Sequence, residues 1–362
     1  MSAMSKNTKS LFENFSKWLP LEKLAFSYSQ LRTGHYAWQG ALLPLIDRVT
    51  NPDQRRTEVN FFEHLRAIFP KIEKLYAQDS KNIAAGLYPI EVLAPENPVK
   101  HFSRIPLLLI DAVRANLQKR KNQTKKFTPD AELYLGDLPD YYKRNFHFQD
   151  SGYLGNNSAD LYDHQVEVLF SGTADAMRRL MVPPLKNHFS SSDGQGLHFL
   201  ELGCGTGRLT RFVALAFPKA KITIVDLSPF YLKLASKRLS AFKNINYIQG
   251  AAEHLDFKDQ TFDAIYSGYL FHELPDQVRL QVHTESFRLL KSRGIYGLLD
   301  SLQKDDDKEL NWALDRFPKD FHEPFYKNYT LKPIDKQLLK SGFKKPSTRI
   351  GFLTKVVTAV RP

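Results

Sequence analysis

Residues His198–Arg208, reading HFLELGCGTGR, constrain the fold more than any other stretch of the chain. An apolar run that includes Glu201 and ends at Leu202 reads as a buried strand. Gly203, Gly205 and Gly207 then lead into a helix with the apolar face Leu209, Phe212, Val213 and Ala216. Glycine permits a tight turn there and lets a bound group approach the backbone closely. Strand signals recur at Ile222–Val225, Ile245–Ile248, Asp263–Ser267 and Ile295–Leu299, with helices expected after the first, second and fourth strands. Such alternation implies a parallel sheet covered by helices on its faces. Asp276 is expected to cap the last of these helices and Gly294 to end it. Thr348–Val360 reads as one or two strands turning near Gly351, an antiparallel hairpin closing the sheet.

The motif lies in the second half of 362 residues, too many for one ordinary core. Three segments are expected. Residues 1–137 read as a mainly helical domain. Its first nine residues are polar and expected to be loose, and Asn60 with Glu63 has the spacing of a capping box. Phe61, Phe62, Leu65, Ile68, Phe69, Ile72 and Leu75 follow helical spacing, and Pro106 opens a further apolar stretch. That stretch runs into Lys119, Arg120 and Lys121, with Lys125 and Lys126 behind, a run read as a solvated loop ahead of a phosphate dock. Residues 138–195 form an aromatic lid or pre-core segment containing Tyr141, Tyr142, Asn145, Phe146, His147, Phe148, Gln149 and Tyr153. It continues as a helix from Ala159 to about Met181 and a loop at Ser190–Gly196. Residues 196–362 are the core.

The second strand ends at Asp226, where a carboxylate can accept hydrogen bonds from both hydroxyls of a ribose. Nicotinamide enzymes prefer the spacing GxGxxG; here it is GxGxG, with Glu201 two positions ahead. The sequence resembles the class I S-adenosylmethionine-dependent methyltransferases, whose first motif has the form E/DxGxGxG. The resemblance runs from about Tyr162 to the C-terminus. It implies a Rossmann-like seven-stranded core and the cofactor S-adenosyl-L-methionine, with S-adenosyl-L-homocysteine as product. Glu201, Gly203, Cys204, Gly205 and Gly207 would form the cofactor loop, and Asp226 with Leu227 the second motif. Gly250–Phe257, GAAEHLDF, is similar to the loop that frames adenine, placing Ala252 and Glu253 there; Ala251 stands where an Asp often contacts the adenine amine. Phe262–Pro275 is similar to the strand and loop facing the methionine portion, which includes Ser267. Tyr162–Asp163 and Ser171–Gly172, followed by Arg178 and Arg179, loosely resemble the lid of the ubiquinone and menaquinone C-methyltransferase-like branch. The lid is also similar to that of uncharacterised bacterial and plastid methyltransferase-like proteins.

Methyl transfer is an in-line displacement on a sulfonium, so alignment dominates and a general base is needed only for a protonated acceptor. His272 is the candidate base, Tyr269 a candidate for orienting substrate, and His147 and Tyr153 candidates for lining the acceptor pocket from the lid. His322, Glu323, Pro324 and Tyr326 form a further polar and aromatic cluster after the fifth strand. No His or Cys group has metal-ligand spacing, so no metal is expected, and His198 reads as a strand residue. Cys204 is the only cysteine, which excludes an internal disulfide and fits a reducing, cytoplasmic setting. No transmembrane segment is expected. A small-molecule acceptor leads the expectations. The net charge of +12 keeps RNA or protein substrates in play, and a non-catalytic cofactor-binding partner protein is the third alternative.

Overall fold

The computed structural model describes residues 19–50, 61–94, 98–121, 125–149, 151–190 and 192–362. The first nine residues and Asn60 lie outside them.

Seven strands form one sheet: β1 (His198–Leu202), β2 (Lys221–Asp226), β3 (Ile245–Gln249), β4 (Phe262–Gly268), β5 (Leu290–Ser301), β6 (Lys344–Gly351) and β7 (Thr354–Val360). Their order is β3-β2-β1-β4-β5-β7-β6. The first five are parallel, and β7 runs antiparallel to both β5 and β6. The α/β Rossmann-like class and the closing hairpin are as the sequence implied. After β1 the chain winds to β2 and β3 on one side, then returns to β4 and β5 on the other. A crevice therefore opens at the C-terminal ends of β1 and β4, where such sheets bind ligands. Phe199, Leu200, Ile222, Ile224, Ala264 and Ile265 are fully buried, the continuous apolar runs expected of a sheet covered on both faces.

Four long helical segments precede the sheet or lie over it: α1 (Leu21–Gly40), α2 (Leu43–Thr50), α3 (Phe61–Ala84) and α4 (Pro98–Arg120). Ala25 of α1 and Ile83 of α3 share one apolar cluster with Phe199 and Ile222 of the sheet, so contacts cross the boundary at residue 137. Pro106 lies inside α4 and does not open it. Lys119 and Arg120 of the basic run are engaged, bonding Asp320 at 3.4 Å and the carbonyl of Thr50 at 2.8 Å.

Three local expectations are corrected. The single helix from Ala159 to Met181 is instead α5 (Asn156–Leu169) and α6 (Ala174–Arg179), followed by α7 (Val182–His188). The break falls at Ser171 and Gly172, both at positive φ. A Cβ on Gly172 would sit 3.0 Å from the carbonyl oxygen of Arg32 and 3.1 Å from the Tyr36 ring, so α1 approaches the break where a side chain would block it. Asp276 is the first residue of its helix, α10 (Asp276–Leu289), with Pro275 in the capping position. Gly294 does not end that helix, which stops at Leu289. It lies inside β5, where a Cβ would meet Leu290 and the carbonyls of Asp263 and Lys291 at 2.8–2.9 Å.

The loop after β1 enters α8 (Arg208–Ala216) through Gly207, at φ 74°. A Cβ there would lie 2.8 Å from Leu239 and 3.1 Å from Ala235, so this glycine lets α8 pack near α9 (Pro229–Arg238). Gly207→Ala should lower stability by about 2–4 kcal/mol, from the left-handed conformation and the overpacking together. Urea unfolding checks this; a loss below about 1 kcal/mol would mean that neighbouring side chains give way freely.

Candidate active site

Two adjoining cavities open at the C-terminal edge of the sheet. The first, a cleft of about 990 Å³ including its mouth, is lined by Glu201, Gly203, Cys204, Gly205, Asp226, Leu227, Ala252 and Tyr162 among others. Glu201 is buried below the turn, and its carboxylate accepts from the Thr210 hydroxyl at 2.7 Å, tying β1 to α8. Burial pushes its pKa up to about 8. Gly203 and Gly205, at φ 64° and 51°, present bare backbone to the cleft. The nearest atom to a Cβ on Gly205 would be 4.0 Å away on Tyr231, so that space is left for something else.

Asp226, at the end of β2, accepts from the amides of Gly205 at 2.7 Å and Ser228 at 2.8 Å, one on each oxygen. Burial raises its pKa to about 6 against those bonds. The remaining lone pairs belong to a carboxylate on the cleft wall.

Three residues expected to touch a cofactor do not line this cleft. Gly207 is turned toward Leu239 and Ala235. Both oxygens of Glu253 accept from the Tyr141 hydroxyl, at 2.8 and 3.0 Å, and it is Tyr141 that lines the cleft. Ser267 is fully buried within β4, and the next residues, Gly268 and Tyr269, reach the wall in its place.

The lid is fastened to the cofactor loop. Asp163 of α5 accepts from Thr206 at 2.8 Å and pairs with Arg238 at 2.5 Å, which helps hold its pKa low despite burial. Tyr153 stacks on Phe146 at 5.2 Å, and its backbone carbonyl accepts from Ser228 at 2.7 Å.

The second cavity, about 760 Å³, shares Tyr162, Arg178, Tyr269 and Glu273 with the first. Its other walls are mainly apolar, from Val166, Phe170, Met177, Leu314, Phe317 and Leu353. His272 reaches it, with Nδ1 2.6 Å from the buried Asp300 carboxylate. Burial opposes the charge on this imidazole, but Asp300 raises its pKa to about 9, so it is held as an imidazolium and not as a free base. The Tyr269 hydroxyl bonds Thr354 at 2.6 Å. His147 also reaches this chamber, its Nε2 2.9 Å from the Tyr153 hydroxyl, which donates to Glu273 at 2.6 Å. Burial pushes the His147 pKa down to about 3.

Sequence reasoning missed Tyr231 as a part of this centre and gave Glu273 no role in it. Tyr231 bonds Ser158 of the lid at 2.9 Å and lines the cleft. Glu273 stands beside His272 on the same short turn after β4 and has equal access to the chamber.

A glycine turn, a buried carboxylate one strand over and an aromatic lid define an α/β protein that binds a nucleoside-containing cofactor. The sequence pattern of a family described as "Methyltransferase domain" matches residues 199–294. A malonyl-[acyl-carrier protein] O-methyltransferase of Ilyobacter polytropus is 34% identical over 25% of this chain and 33% of its own length. A demethylmenaquinone methyltransferase of Lactiplantibacillus plantarum is 31% identical over 41% of this chain and 67% of its own. A solved S-adenosylmethionine-dependent methyltransferase from Aquifex aeolicus covers 51% of this chain and 97% of that one, at 18% identity and a TM-score of 0.37. The chain belongs to the class I S-adenosylmethionine-dependent methyltransferases. It spans from a third to somewhat over half the length of most curated relatives it matches.

The cleft fits the family's cofactor on its own terms. Bare backbone at Gly203 and Gly205, a carboxylate engaged among the described residues only by backbone amides and able to accept from ribose hydroxyls, and the Arg178 guanidinium, paired with Asp175 at 3.3 Å, suit a ribose and a carboxylate. Among the described residues, no helix is long and apolar enough to cross a membrane.

Proposed function

We propose that this protein transfers a methyl group from S-adenosyl-L-methionine to a small, largely apolar acceptor held in the second chamber. The carrying observation is that the two cavities meet at Tyr162, Arg178, Tyr269 and Glu273, so that a donor in the cleft and an acceptor in the chamber face each other across a shared wall. The cofactor supplies an electrophilic methyl on a sulfonium. Asp226 would hold its ribose, Leu227 and Ala252 its purine, and Arg178 its carboxylate. Tyr162 and Tyr153 close the lid and exclude water, which keeps the donor from side reactions. Glu273, on the shared wall, lies where an acceptor's proton would leave, and His272, held by Asp300, faces the chamber as a fixed positive charge. The apolar walls favour an acceptor of low polarity over a nucleic acid, and two cations of the basic run are already engaged by Asp320 and Thr50.

Incubating the full chain with methyl-tritiated cofactor and a cell extract tests this reading. Label is expected in organic-soluble or small polar fractions and to vanish with Asp226→Ala. Label in RNA or protein instead would overturn the small-molecule assignment.

Chamber blocking gives a second expected result. Ala313 lies on α11 (Asn311–Asp320), half-buried at the chamber wall. Ala313→Trp should fill acceptor space while leaving cofactor affinity within about twofold, and lower turnover by about tenfold or more. Unchanged turnover would place the acceptor elsewhere.

A further inference from the structure

Three loops far apart in sequence bring His147, Glu273 and Glu323 together, one ligand atom from each lying within 4.8 Å of the others. His147 comes from the lid, Glu273 from the turn after β4 and Glu323 from the segment after α11. Their separations of more than a hundred and about fifty residues explain why spacing alone gave no sign of a metal group.

Glu323 is the telling member. Its side chain is fully buried, yet among the described residues neither carboxylate oxygen has a hydrogen-bond partner. Its Oε1 lies 3.3 Å from His147 Nε2. The carboxylates of Glu273 and Asp300 bear on it, and His272 opposes them. Glu273 and Asp300 lie 3.9 and 2.6 Å from the His272 imidazole, so Glu323 is buried among further carboxylates. A buried, unpaired carboxylate costs several kcal/mol unless a cation or a proton compensates it.

We infer that His147, Glu273 and Glu323 form a divalent-cation site at the wall between the cofactor cleft and the acceptor chamber. One imidazole and two carboxylates suit a borderline ion such as Zn²⁺ or Mn²⁺, with bonds of about 2.0–2.2 Å. Donor atoms 3.3 Å apart match neighbouring corners of a tetrahedron or octahedron of that size. His147 and Glu273 both face the chamber, so open coordination positions there would hold an oxygen of the acceptor. The site would thereby select acceptors carrying a hydroxyl or a chelating pair of oxygens, and would favour the oxyanion over the protonated form. This role rests on the methyltransferase reading; the metal binding does not.

The test separates the two. The full chain is stripped with a chelator, dialysed and titrated calorimetrically with Mn²⁺ and with Zn²⁺, and cofactor affinity is measured on the same samples. A single equivalent should bind the wild type. Glu323→Gln and His147→Ala should each weaken binding by about a hundredfold or more while cofactor affinity stays within about threefold. Manganese electron paramagnetic resonance should show nitrogen coupling that is lost in His147→Ala. The inference is overturned if the wild type takes up neither ion at roughly millimolar concentration while still binding cofactor, or if Glu323→Gln binds metal as the wild type does. Metal uptake without any cofactor affinity would uphold the site and sink the methyltransferase reading instead.

Discussion

Asp226→Ala should weaken S-adenosylmethionine binding by at least about a hundredfold, because two charge-assisted hydrogen bonds to the ribose, each worth about 1.5–3 kcal/mol, are removed together. Isothermal titration calorimetry reads this directly. Asp226→Asn is the more discriminating variant. The native carboxylate accepts from Gly205 on one oxygen and from Ser228 on the other. An amide offers a single oxygen, so one backbone N–H would face an NH₂ group and the loop would shift. The Asn variant should therefore lose affinity as well. Affinity within about threefold of wild type in both variants would remove the cofactor from this cleft.

The same carboxylate sets a pH dependence. Burial raises the Asp226 pKa to about 6. The ionised form accepts from the ribose and the protonated form does not, so protons compete with the cofactor. Affinity should be level above pH 6 and fall as pH drops below it, by about tenfold per unit at the limit. Asp226→Asn should show no such slope. A flat wild-type profile between pH 5 and 7 would mean that this side chain is not a binding group.

What could be read from the sequence was what is contiguous in it. The turn after β1 shows because Gly203, Gly205 and Gly207 all sit at positive φ, a backbone demand that writes itself as residue type. Asp226 shows because it ends the mainly apolar run Ile222–Val225. Gly294 misled because a glycine after a helix usually marks its end, whereas here it serves a tight approach between β4 and β5. The break at Ser171–Gly172 was hidden because the apolar pattern runs on through it, and what forces the turn is α1, some 140 residues earlier in the chain. The convergence of His147, Glu273 and Glu323 has no local signature at all. It exists only once the lid has folded over the sheet.

The second large effect concerns stability, and it lies where the N-terminal helices meet the core. Arg179 of α6 donates to both oxygens of Asp79 of α3, at 2.9 and 2.6 Å, and both side chains are almost wholly buried. The Tyr88 hydroxyl donates to the same carboxylate at 2.6 Å, and the guanidinium lies 5.2 Å from the Phe212 ring of α8. Arg179→Met would leave Asp79 charged and buried with only Tyr88 and no cation, at a cost of about 3–5 kcal/mol. Asp79→Leu alone should cost a similar amount, by stranding the guanidinium. The double variant Asp79→Leu/Arg179→Met replaces the pair with apolar side chains and should recover most of the loss, since desolvating both charges offsets much of their attraction. Urea unfolding of the four proteins measures the coupling. Single losses below about 1 kcal/mol would mean that water reaches the pair. Because Arg179 does not line the cofactor cleft, affinity for S-adenosylmethionine should hold in any variant that stays folded. If affinity fell while the fold stayed intact, α3 would be coupled to the cleft through α6, whose Asp175 binds Arg208 at the cleft wall at 2.5 Å.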